Sequence, residues 1–217
     1  MAITDYTTLR ASIQSWTARS NDTTFNAQIP NFVSLAEDRM YNGAGDRGDP
    51  IYSAPLRSKY MEVEGTVTVT SGVGTLPDSA LEIREISVTD QLTGLEYLTP
   101  ERFRLFAANN TSGTPAYFTT RGSTIEVAPA SSVTLDLTYY RSYDPITASN
   151  TTGPLLTAHG FIYLECCLYE AFAFMQADDL ALAHLARARG MIDGANRTAS
   201  NIRTAGPLRI RQRNPIP

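Results

Sequence analysis

The side chains through which this chain could do acid–base, nucleophilic or metal chemistry are few: His159 and His184, Cys166 and Cys167, and scattered carboxylates. A zinc site needs several such ligands converging. The two histidines stand about seven turns apart if one continuous helix carries both, so no metal centre is expected, and no cofactor is implied. Neither has a Gly-x-Ser-x-Gly elbow or a glycine-rich nucleophile loop to serve, and both read as ordinary helix residues. Adjacent cysteines cannot form an ordinary disulfide with each other without severe strain; these read as two buried thiols on a helix. Paired carboxylates remain, since a glycosidase needs only two acids roughly 5 to 10 Å apart. Glu165 and Glu170 do not share a helix face, and Glu62 and Glu64 fall on one strand face as solvated acids do. No catalytic and no metal-ligating residue is assigned.

The short motifs add little. GAGDRGD at 43–49 resembles a glycine-aspartate calcium loop, but such loops act in tandem and this one occurs once. Its Arg47-Gly48-Asp49 tripeptide serves adhesion on exported proteins. The opening Met1-Ala2-Ile3-Thr4-Asp5 lacks the basic and apolar regions of an export signal, so synthesis in a cytoplasm is expected. On the same ground the glycosylation sequons at Asn21, Asn109, Asn110, Asn150 and Asn196 read as polar loops. No P-loop or Gly-x-Gly-x-x-Gly motif occurs.

Stepping from these side chains to what must hold them, 217 residues suit one domain or two small ones, and 42% hydrophobic with 18% charged residues excludes a disordered chain. The most apolar stretch, 160–175, is interrupted by Glu165 and Glu170 and falls short of the roughly 18 to 20 residues of a membrane span. It reads as a core helix, and no membrane partner is expected.

The net charge of −4 conceals a division. After Asp193 only arginines carry charge (Arg197, Arg203, Arg209, Arg211 and Arg213), which leaves the chain up to Asn196 at −9. Sequence-specific duplex recognition uses a basic surface, so the acidic body argues against it, while tolerating DNA that passes without being gripped. The basic tail reads as an arm for a partner. Alone it buries too little to offset its ordering entropy. Leu208 and Ile210 alternate with Arg209, Arg211 and Arg213, the pattern of a strand added to another chain's sheet edge or laid in a groove.

The periodicity gives an α+β arrangement: a helical bundle made by the N- and C-terminal helices, an antiparallel β-rich insertion, and an extended C-terminal arm. The expected divisions are 1–58, two helices and a glycine-rich loop; 59–152, the β insertion; 153–196, the C-terminal helices; and 197–217, the arm. Leu9, Ile13 and Trp16 form one stripe and Phe32, Val33, Leu35, Ala36 and Met40 the next, with Pro30 expected in the first turn of the second helix. Strands are expected over 61–70, 81–89 and 95–98, a short helix from Thr99-Pro100, then three antiparallel strands over 116–120, 124–128 and 133–140. A helical period returns from Leu155 with a break near Asp178-Asp179.

ITDYTTLRASIQSWTARS and QIPNFVSLAEDRMY, followed in order by PLRSKYME, TLPDSALEIREISV, LEYLTPERF, GTPAYFTTRGSTIEVAPA, LTYYRSYDPIT and LLTAHGFIYLECCLYEAFAFMQADD, resemble bacteriophage head-tail adaptor proteins, also called head completion or tail accessory factors. The resemblance spans roughly residues 2 to 180 and rests on order and spacing; strand and turn chemistry accounts for each piece locally. It implies a non-enzymatic virion protein forming a homo-oligomeric ring, typically of twelve copies. Such a ring sits beneath the portal protein with a tail protein below, around a channel for packaged double-stranded DNA. It implies portal contact through the C-terminal segment, for which Arg203, Leu208, Arg209, Ile210, Arg211 and Arg213 are the candidate residues. The other readings are a capsid-decoration or tail component, in which the β-rich middle makes the main contacts, and a virion-associated peptidoglycan hydrolase using Glu165 and Glu170.

Overall fold

The computed structural model describes residues 2–91, 94–110 and 112–204, with side chains as far as Ser200. The chain forms two compact units, the residues on either side of the second, Met61–Asp144, building the first. Helices at both ends of the chain and a strand insertion between them make the fold α+β.

The helical unit is organised by α4 (Pro154–Phe174), whose buried residues lie on nearly every side, Leu155, Leu156, Ile162, Tyr163, Leu164, Cys166, Cys167, Leu168 and Ala171 among them. A helix apolar all round belongs in a core. Around it pack α1 (Tyr6–Trp16), α2 (Thr23–Asn42) and α5 (Asp178–Thr204). The Asp5 carboxylate accepts the Thr8 N–H at 2.9 Å while the Thr8 hydroxyl accepts the Asp5 N–H, the reciprocal cap that starts α1. The Asp22 carboxylate accepts the Phe25 N–H at 3.0 Å and starts α2; that bond, aided by Arg19, holds its pKa below the usual range.

This early start corrects the expected place of Pro30, which stands inside α2 rather than in its first turn. An interior proline costs a helix about 3 kcal/mol through its missing N–H and ring clash. Here Phe25, Ile29, Phe32, Val33, Ala36 and Met40 on the same helix are buried, and their burial outweighs that cost. Two stripe residues are corrected as well. Trp16 and Leu35 are each about half exposed, because the apolar stripes are narrower than expected: Leu9 and Ile13 in α1, and Phe32, Val33 and Ala36 in α2, fill the α4 contact.

Ile3 crosses α4 at Gly160, where a Cβ would collide with the Ile3 carbonyl oxygen and Cβ. Backbone cannot give way as a flexible side chain does, so Gly160→Ala is expected to destabilise the protein by about 2–3 kcal/mol. A lower urea midpoint at unchanged slope is the measurement; an unchanged midpoint would show that Ile3 leaves α4 at little cost.

The second unit is a curled, seven-stranded mixed sheet: β1 (Glu62–Thr70), β2 (Val73–Thr75), β3 (Ala80–Val88), β4 (Glu96–Tyr97), β5 (Tyr117–Arg121), β6 (Thr124–Ala128) and β7 (Val133–Arg141), in the order β3-β7-β1-β2-β6-β5-β4. Ser71 and Gly72, both at positive φ, close a two-residue β1–β2 hairpin with Val69 opposite Gly74. The expected run of three consecutive antiparallel strands is corrected: β5 pairs with β6, but β7 lies between β1 and β3, and β4 pairs with β5 in parallel. The cause is β2, a three-residue strand too short to show a period, which takes the place beside β6. Val67, Val69, Ile86, Val88, Phe118, Ile125, Val127, Leu135 and Leu137 fill the concave side. Helix α3 (Pro100–Asn109) lies against β5 and β6, burying Phe103 and setting Phe106 edge-on to Tyr117.

Helix α5 continues to Thr204, so residues 197–204, expected to open the arm, are helical, and Ala199 is buried in that helix.

Candidate functional site

The expected portal-binding side chains are not among those described. Arg203 falls in the last turn of α5, and Leu208, Arg209, Ile210, Arg211 and Arg213 lie outside the described residues. What the structure does place are the histidines, thiols and carboxylates of the described residues.

Glu165 and Glu170, the carboxylates weighed as an acid pair, are committed to different partners. His184 Nδ1, on α5, stands 2.7 Å from Glu165 Oε2, both side chains buried. The His184 ring stacks on Phe172 at 5.0 Å, with Trp16 edge-on at 6.0 Å. Glu170 receives Arg39 of α2 at 3.1 Å, and that guanidinium also covers the Tyr169 ring at 4.4 Å. Each acid therefore joins α4 to a different neighbouring helix. A third buried carboxylate, Glu37 of α2, accepts the Ile146 N–H at 3.1 Å and the Tyr163 hydroxyl at 3.2 Å, and burial pushes its pKa up to about 7. In the sheet unit Glu62 pairs with Arg84, and Glu64 is exposed.

The thiols are equally unavailable. Burial pushes Cys166 up to about 12 and Cys167 well above the ordinary thiol range, so neither is a thiolate at neutral pH, the form that attacks or binds metal. Among the described residues there is no group of three or more His, Cys, Asp or Glu placed to hold a metal ion, and no helix long and apolar enough to cross a membrane.

One pairing escaped the sequence reading. Ser58 Oγ lies 2.7 Å from His159 Nε2, the separation of a nucleophile and its base. His159 departs from helical geometry at φ −130° and ψ 36°, which turns its ring to the serine, and burial lowers its pKa. Ser58 is only 3% exposed, and no carboxylate is bonded to the other ring nitrogen among the described residues. The pair ties the end of the 43–58 loop to α4 without the access or the orienting acid that hydrolysis needs. The rest of that loop is fastened to α2 and α5: Arg39 donates to the Ile51 carbonyl, Arg189 to the Pro50 carbonyl, and the Asn196 amide bridges the Pro55 carbonyl and the Arg57 N–H. The Arg47-Gly48-Asp49 tip stays exposed.

Among the described residues, these polar groups hold helices and the 43–58 loop together. Comparison with known proteins accords with that. The model of one family, the SU10 adaptor protein, matches residues 4–211. The chain belongs to the SU10 adaptor protein family. Membership implies a structural role as a phage adaptor, in line with the head-tail resemblance of the sequence. No curated protein matches the adaptor chain.

Of the groups that the adaptor's sequence did not reveal, Glu165 carried the clearest signal. A carboxylate in the middle of the apolar run GFIYLECCLYEAF needs a partner from another element, although nothing in the sequence says which one. Ser58 carried none.

Proposed function

We propose that this adaptor forms a closed ring, of about twelve copies as the family resemblance implies, which joins the portal protein of a phage head to the tail below and surrounds the path of packaged DNA. The observation that carries this reading is the family match over residues 4–211. The acidic body supports the channel, since like charge lets DNA pass without holding it. Identical copies related by one heterologous contact close into a ring when the rotation between them closes. Portal contact falls to Arg203 at the end of α5 and to Leu208, Arg209, Ile210, Arg211 and Arg213, the last five alternating apolar and basic groups as suits a strand laid on an acidic partner.

The test is binding of the full chain to purified portal. Arg209→Glu, Arg211→Glu and Arg213→Glu together are expected to weaken docking by roughly 100-fold and to reverse its dependence on salt, because three charge-assisted contacts become repulsions that salt screens. Docking unchanged by the triple reversal would remove the arm from the portal contact. Native mass measurement gives the copy number, and a trimer or hexamer would favour the decoration or tail-component reading.

A further inference from the structure

The curled sheet does not close. At one end β3 and β4 meet: the Ile86 carbonyl accepts the Leu95 N–H at 2.8 Å, and Ser87 bridges Gly94. Before Ile86 the two edges part, and among the described residues no backbone hydrogen bond joins β3 to β4 or β5 there. The parting leaves a cleft of about 400 Å³ whose lining includes Leu76, Ala80, Ile83, Tyr97 and Phe118 together with Glu82 and Thr120. Leu76, Ala80 and Ile83 are only partly buried although they pack on the sheet's core, and Tyr97 is half exposed. On the other face of the same stretch of β3, where the register sets it opposite Thr138, stands Glu85, exposed.

We infer that the open β3 edge is a strand-accepting site and that its occupant is the 207–213 segment of a second copy of this chain. An edge strand offers unpaired N–H and C=O groups, and an added strand presents alternate side chains to the two sheet faces. In PLRIRQR, Leu208 and Ile210 share one face and Arg209, Arg211 and Arg213 the other. One face therefore matches the apolar part of the cleft while the other meets Glu85. Pro207 stands where a strand tolerates proline, at its start, and Pro215 follows its end. The charges agree over a longer range: residues 61–144 hold eleven acids against five arginines, whereas the chain after Asp193 holds five arginines and no acid. The inference rests on reading the arm as a partner-binding segment and adds a second seat for it, used when no portal is present.

The test uses the full chain without portal. Copies carrying Ile83→Cys are mixed under mild oxidation with differently tagged copies carrying Ile210→Cys; the native thiols are buried. Disulfide-linked pairs are expected to form at least about 10-fold faster than in a control pairing of Leu105→Cys with Ile210→Cys, because a seated strand raises the effective thiol concentration. Adding Arg209→Glu and Arg211→Glu to the arm should return the rate to the control level. Equal rates in the two pairings overturn the site. A disulfide formed only within single chains carrying both cysteines, at a rate unaffected by dilution, overturns the second copy as occupant. Portal docking is measured separately: its loss on arm charge reversal with no linkage to Ile83 sinks this inference alone, and linkage with docking unaffected sinks the portal contact alone.

Discussion

Glu165→Ala is expected to lower the unfolding free energy by about 1–3 kcal/mol, the range found when a buried polar group is left without its hydrogen-bond partner. The loss exceeds that of one hydrogen bond because of what remains. His184 is 6% exposed and enclosed by Phe172 and Trp16, so its Nδ1, deprived of the carboxylate 2.7 Å away, reaches neither water nor a new partner. Glu165→Gln keeps an acceptor at the same place and should cost less than alanine. The double variant Glu165→Met with His184→Phe removes both polar groups and should recover most of the loss, since replacing both partners of a buried hydrogen bond by apolar groups of similar shape can be nearly neutral. Urea unfolding of the three variants is the measurement. A loss below about 1 kcal/mol for alanine would mean that water reaches the pair.

Glu37 makes the second large effect, and it depends on pH. Its pKa is about 7 in the folded chain against 4.5 when free, so between those values the folded state holds a proton that the unfolded state has released. Stability attached to that proton is present in full below about pH 4.5 and is lost as pH rises to about 7, a fall on the order of 3 kcal/mol from this group. Burial is the leading cause; the Ile146 N–H and the Tyr163 hydroxyl favour the charged form and only moderate it. Glu37→Gln keeps the acceptor for both donors and cannot ionise. Its stability should not fall across that window, and at pH 8 it should exceed the parent by up to about 3 kcal/mol. Parallel pH profiles of parent and variant would contradict the assignment.

Both predictions concern groups whose importance the sequence only hinted at, and the reason is general to this chain. Period and punctuation are local. Asp5 and Asp22 beside their apolar stripes, the Ser71-Gly72 turn, the two-residue alternation of β1 and the apolar run of α4 are each written within a dozen residues. The helical ends and the β insertion were legible from them, while the adaptor family showed only in the resemblance carried by the order of the longer segments. Pro30 misled because the same local rule that favours proline in a first turn cannot weigh the burial of Phe25 and Ile29 before it.

By itself the sequence determined that this is an α+β chain with an acidic body, a basic end and no assembled catalytic signature, and its ordered motifs marked a phage adaptor. Only the tertiary structure decided which strands are neighbours, because the three residues of β2 divert β7 away from β6. It alone decided that Glu165 meets His184, that Glu170 meets Arg39 and that Ser58 meets His159, pairs brought together by helix packing across long stretches of chain. Periodicity shows which face of an element is buried; the partner across that face is fixed by where the rest of the chain can pack, and no spacing along one element contains that information.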